Sequence, residues 1–181
     1  MSGNLAVESE CVDVETLGEC LRKAFPGLDA NWESFLDPKN GNIAQAGKPL
    51  ITVGDRDNDR DNKANIRLPK ELMGTRYDLG LYEDPVKKTW SLVGSSDDIG
   101  YGWGRSSRIK SGWNSATVDY TERKLLEKAK AGNLNVTSTT ETDSKAIPSH
   151  IAAKLKAGKI RVVKMTVDSD ALGSGVIVSR N

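Results

Sequence analysis

Four things are scarce in this chain of 181 residues. It has one histidine, His150, and two cysteines, Cys11 and Cys20. It has no apolar run near the roughly 20 residues that a membrane helix requires. It also has no excess of charge, with 26 basic residues against 25 acidic ones. Each scarcity excludes something. A lone histidine beside Ser149 has no spaced acid to orient it and no nucleophile elbow around it, so no hydrolytic triad is encoded. Zinc ligands come as close doublets with further partners, which Cys11 and Cys20 do not offer. The two thiols suggest no disulfide framework either, and a reduced, intracellular setting is the plain reading. No secretory signal opens the chain, because a basic region followed by an apolar run is missing. Balanced charge gives no global field for nucleic acid or an anionic membrane, so any such binding needs a local patch. The expectation is a protein without metal, cofactor or membrane association.

What is present centres on Arg76 to Gly104. Two strand-like runs, Tyr77 to Tyr82 and Thr89 to Val93, flank a turn begun by Glu83-Asp84-Pro85. Proline presets a turn's backbone angle and cannot donate to a sheet ladder. Alternation puts Tyr77, Leu79 and Leu81 on one face, with Trp90 and Leu92 on the partner strand. An antiparallel hairpin with Leu79 and Leu92 buried is predicted.

Around it the chain alternates between sheet and helix. Leu5 to Val12 reads as a first strand. Asp13 is placed to cap a helix in which Val14, Leu17, Leu21 and Ala24 recur at helical spacing, and Pro26-Gly27 stops it. Trp32 and Phe35 are read as core cover. Asp37 to Lys48 is a loop, and Pro49 to Val53 and Ala64 to Leu68 are strands. Between these strands Asp55 to Lys63 carries four aspartates and two arginines. The glycine and glutamate of a helix-loop-helix calcium site are absent, because Arg60 and Ile66 stand in their places. A solvated, self-paired tip with no metal is expected there. Lys70 to Gly74 is a turn. A second helix is predicted over Ala116 to Ala131, capped by Thr117 and closed by Gly132. Then follow a strand over Asn133 to Thr140, a short helix from Pro148 to Ala157 and a strand over Lys159 to Asp168. An edge strand runs from Gly173 to Val178. The order predicts a single α+β domain over 1–181, with 169–181 as a C-terminal extension. It has an antiparallel sheet carrying two main helices on one face, ferredoxin-like with insertions. A small antiparallel barrel is the alternative.

Tyr77-Asp78-Leu79-Gly80-Leu81, Thr89-Trp90-Ser91-Leu92-Val93 and the acidic, Trp-Gly-rich run Asp97 to Gly104 carry a resemblance. So do the helix segments Asp13 to Phe25 and Tyr120 to Gly132. Together they resemble a family of small proteins encoded in cyanobacteria, algal plastids and some phages, over about two-thirds of the chain. Val118-Asp119 departs from the Gln-Arg pair that leads to the helix tyrosine there. The Asp55 to Lys63 tip, the Pro148 helix and the last dozen residues look like additions and point to a diverged, viral relative. The family has no established activity, so the resemblance implies a fold and no function.

The most function-like stretch is Gly100 to Trp113. Tyr101, Trp103, Arg105, Arg108, Lys110 and Trp113 are interleaved there with glycine and serine. Its glycines match neither phosphate-binding motif. The sequence reads as a mobile loop whose aromatics fold back over the sheet or anchor a partner. The expected function is a non-catalytic interaction or structural protein, a subunit of a larger assembly such as a phage particle, with those six residues as the contact. The alternative is a nucleic-acid-binding module using the same loop to stack on bases.

Overall fold

The computed structural model describes residues 3–55, 62–100, 104–132, 134–141, 160–167 and 175–180. For Arg105 and for 134–141, 160–167 and 175–180 the backbone alone is described. The chain divides into two compact units, Met1–Thr117 and Val118–Asn181.

The first unit is α+β, with a four-stranded antiparallel sheet at its centre. Its strands are β1 (Asn4–Val7), β4 (Ile66–Leu68), β5 (Leu79–Glu83) and β6 (Trp90–Ser95), in the order β1-β6-β5-β4. The predicted hairpin is β5–β6, in register Leu81↔Leu92, with Leu79 and Leu92 buried. No helix lies between β5 and β6. The β-α-β-β-α-β connectivity of a ferredoxin-like fold asks for one between its last two strands.

Asp84 sets the hairpin turn. Its Oδ1 accepts the Val86 and Lys87 N–H groups at 2.8 Å each. Those donors, Lys87 first, hold its carboxyl below the usual carboxylate range. A carboxyl depressed in this way contributes stability above its unfolded pKa of about 3.9 and loses it as pH falls through the folded value. Asp84→Ala is therefore expected to lower the urea midpoint at pH 7, and the gap from the parent should narrow on acidification to about pH 3. Midpoints at the two pH values check this.

Every residue of β6 is buried, so both sheet faces are covered. On one face a ribbon of β2 (Ile51–Val53) and β3 (Asn62–Ala64) packs down, and Val53, Ala64 and Val93 form a small cluster. Gly80 makes this approach possible, since a Cβ there would strike Ala64. β2 leads into Gly54 and Asp55, and Asp55 is only 7% exposed. Its backbone N–H donates to Asn4 Oδ1 at 3.2 Å. The expectation that the whole Asp55 to Lys63 tip is solvated fails at this first residue; 56–61 lie outside the described residues.

The other face carries helices. Asp13 caps α1 (Val14–Ala24), accepting the Glu15 and Thr16 N–H groups, with Arg22 and Lys23 in the last turn. α1 stops at Ala24 ahead of Pro26-Gly27, as predicted, and Pro26 then opens α2 (Pro26–Ala30) at its first turn, where a missing N–H costs nothing. Next come α3 (Trp32–Leu36) and a 3-10 turn over Pro38–Asn40. Two expected turns or loops are also short helices, α4 (Lys70–Met73) and α5 (Ser96–Ile99).

The largest departure is α6. It runs Gly104–Ala131, a single helix of 28 residues, so Thr117 sits inside it and caps nothing. Over its first part the buried residues Ser106, Ile109, Trp113, Ala116 and Tyr120 recur at alternating steps of three and four, the period of one helix face.

The second unit adds a three-stranded antiparallel meander of β7 (Leu134–Glu141), β8 (Ile160–Val167) and β9 (Gly175–Arg180). β9 pairs with β8 from Arg180↔Ile160 to Gly175↔Met165, where an edge strand over Gly173 to Val178 is predicted. The predicted Pro148 helix, with His150, lies outside the described residues.

Candidate functional site

Of the six residues proposed as a contact, the structure describes the side chains of three, Arg108, Lys110 and Trp113. Tyr101 and Trp103 lie outside the described residues, as does the Arg105 side chain. Trp113 is 2% exposed and belongs to the core. Gly112 beside it has no side chain because the Phe25 ring occupies that space. A partner cannot reach Trp113 without unfolding this packing.

Arg108 has structural work. Its guanidinium donates to the carbonyls of Met73 and, at 3.3 Å, Gly74. It sits over Gly74, whose φ of 64° ends α4 in the left-handed conformation. Carbonyls at a helix end lack partners within the helix, and a cation there also meets the negative end of the dipole. Lys110 alone of the six is a described, exposed side chain with no such duty. Arg108→Ala is expected to lower stability by about 1 kcal/mol, and Lys110→Ala by less than about 0.5 kcal/mol. Chemical denaturation of the two variants distinguishes a fastener from a free surface cation.

The larger site lies between the helices and the open end of the sheet. A groove of about 520 Å³ runs between α1 and the β4 edge. Its floor is formed by Ile66, Leu68 and Leu81 of the sheet, where the register sets Ile66 opposite Leu81. Leu21 and Leu28 close the helical side. One wall is an aromatic stack. Trp32 lies 5.4 Å from Phe35, centroid to centroid, and its ring edge lies 3.1 Å from where a Cβ on Gly18 would be. Arg22 covers the outer face of Trp32 at 5.1 Å and is held there by Asp29, 2.7 Å from its Nε. The mouth is apolar as well: Leu36 is 37% and Ile43 41% exposed. The charged lining, Glu15, Glu19 and Arg22, comes from α1.

The β4 edge beside the groove is already paired. Ile43 bridges Ile66, Ala44 N–H donates to Asn65 O at 2.8 Å, and Arg67 N–H donates to Asn42 O at 2.7 Å. Asn42, itself buried, locks this segment by accepting from Arg67 Nε and Nη2 and donating to Phe35 O.

A second polar centre faces the start of β5. Asp98 is fully buried, and its carboxylate oxygens accept the Arg76 and Tyr77 N–H groups at 2.9 Å each. Tyr77 stands under the Arg76 guanidinium at 5.2 Å. Burial, with the Asp55 carboxylate nearby, pushes its phenol up. Asp98 is committed to backbone donors and acts as a brace.

Among the described residues no group of three His, Cys, Asp or Glu side chains could hold a metal ion, and no helix is long and apolar enough to cross a membrane. Neither Cys11 nor Cys20 is accessible, and burial pushes the Cys11 thiol up. No family model matches the chain, and no curated protein or solved structure matches it.

Sequence reasoning missed the groove because its residues come from six places in the chain: α1, α2, α3, Ile43, β4 and β5. Each looks like ordinary core on its own. The available signal was Leu36 and Ile43, two large apolar residues in or beside a stretch read as loop.

Proposed function

We propose that the protein is a non-catalytic binding protein and that the groove between α1 and the β4 edge receives an apolar part of a protein partner. The apolar mouth carries this reading: Leu36 and Ile43 stand exposed at the rim of a groove whose floor is also apolar. Burying such a rim is favourable at about 25 cal/mol per Å² of apolar surface removed from water. The floor and the Trp32–Phe35 wall present aliphatic and aromatic carbon, and the titratable lining is confined to Glu15, Glu19 and Arg22 on α1, a make-up that suits recognition. The contact thus moves from the predicted Gly100 to Trp113 stretch to the groove beside α1. The nucleic-acid reading keeps only Lys110 among its described side chains, while acidic α1 residues line the groove.

The Tyr77–Leu81 and Thr89–Val93 resemblance enters this proposal as kinship of fold with the cyanobacterial and plastid family, which has no activity to carry over.

The test is a selection with a matched variant. Random helix-forming peptides are panned against the parent, then measured against Leu36→Asp/Ile43→Asp. Each substitution is expected to lower stability by on the order of 1 kcal/mol, since both sites are only partly buried. Selected peptides with micromolar Kd should bind the variant at least tenfold more weakly. Equal binding to both proteins would refute the groove as the site.

A further inference from the structure

We infer that the partner in this groove is a basic amphipathic helix; this rests on the groove being the binding site. Three observations point there.

The first is charge. The whole chain is +1. Yet from Glu8 to Asp37 it holds eight carboxylates and two cations, a net charge of −6. That segment contains all of α1, α2 and α3. One of its two cations, Arg22, is matched by Asp29 and stacked on Trp32. Such a lip repels an anionic lipid surface and a phosphate backbone, and attracts a cationic partner.

The second is spacing. Glu15 and Glu19 are four apart on α1, and both are exposed and line the groove. Residues four apart on a helix lie one above the other on the same face. They therefore form a row along the lip, and a partner helix presents cations at the same repeat. α1 has 11 residues, about 16 Å at 1.5 Å per residue, which matches roughly three turns of a partner.

The third is the occupied sheet edge. A peptide that adds as a strand needs free N–H and C=O groups. Along the β4 edge the Asn65 C=O and the Arg67 N–H are already taken, by the Ala44 N–H and the Asn42 C=O. What the groove offers is side-chain contact, which a helix reads with apolar residues three and four apart.

The experiment uses the full chain and two synthetic helices of about 16 residues with the same leucine stripe at three-four spacing. One carries lysines on the flanks of the stripe, the other glutamates. Binding is followed by fluorescence anisotropy at low and moderate salt. The lysine peptide should bind at least tenfold more tightly than its glutamate twin, and the preference should shrink as salt rises. Glu15→Lys/Glu19→Lys should reverse the preference. Glu15→Gln/Glu19→Gln, gentler on the helix, should erase it, with circular dichroism showing both variants folded. Equal binding of the two peptides, lost on Leu36→Asp/Ile43→Asp, would overturn the basic helix and leave the groove standing. Binding of neither peptide, with no apolar ligand from the panning either, would overturn both. A concentration-dependent dimer abolished by Glu15→Lys would make a second copy the occupant and overturn the separate partner.

Discussion

Gly112→Val is expected to lower the stability of the first unit by about 3 kcal/mol, at the upper end for overpacking a filled core. A Cβ at this position would enter the Phe25 ring. That ring is 3% exposed and cannot swing into solvent without uncovering the core. A glycine inside a helix normally costs about 1 kcal/mol relative to alanine; here the close contact between α6 and the end of α1 repays that cost. The midpoint of thermal unfolding should fall by on the order of 10 °C. Phe25→Leu made together with Gly112→Ala should recover part of the loss of the single alanine variant, because the two sites share one space. Gly3→Ala is the control, since nothing lies within 4 Å of a Cβ there. If the segment were a mobile loop, Gly112→Val would be as silent as that control.

Asp98→Ala should have a comparable effect, on the order of 3 kcal/mol. The carboxylate accepts two backbone N–H groups in a fully buried setting. Hydrogen bonds to a charged group contribute about 1.5 to 3 kcal/mol each, and removing the acceptor leaves two part-buried donors without it. Asp98→Asn discriminates between charge and shape. An amide keeps one acceptor oxygen but turns an NH₂ donor toward the second backbone N–H. Asparagine should therefore recover less than half of what alanine loses. Full stability in the asparagine variant, measured by urea unfolding, would remove the brace from the account.

These two sites show what the sequence made legible. The hairpin was readable because alternation in Leu79 to Leu81 and Trp90 to Leu92, with Asp84-Pro85 between, satisfies strand and turn chemistry together. The Asp13 cap was readable for the same reason: local hydrogen bonding decides it. The start of α6 was not, because glycine and serine between 100 and 113 have low helix propensity and suggested a loop. Tertiary packing overrode that preference. The steps from Ser106 to Ile109, Trp113, Ala116 and Tyr120 were the missed signal. For the same reason Trp113 and Arg108 read as contact candidates, although one is core and the other fastens α4. The acidic lip was hidden differently. A net charge of +1 over the chain averages a −6 segment against basic residues elsewhere.

The groove itself is tested most directly by methyl-labelled spectra of the full chain, titrated with indole, a small, neutral, apolar probe. Saturable shifts are expected at the methyls of Leu21, Leu28, Leu36, Ile43, Ile66 and Leu81, with none at Leu17 or Ile109 in the closed core. Leu36→Asp/Ile43→Asp should weaken them. Spectra that stay unchanged to millimolar indole, or shifts scattered over residues far from the groove, would contradict the groove as the site.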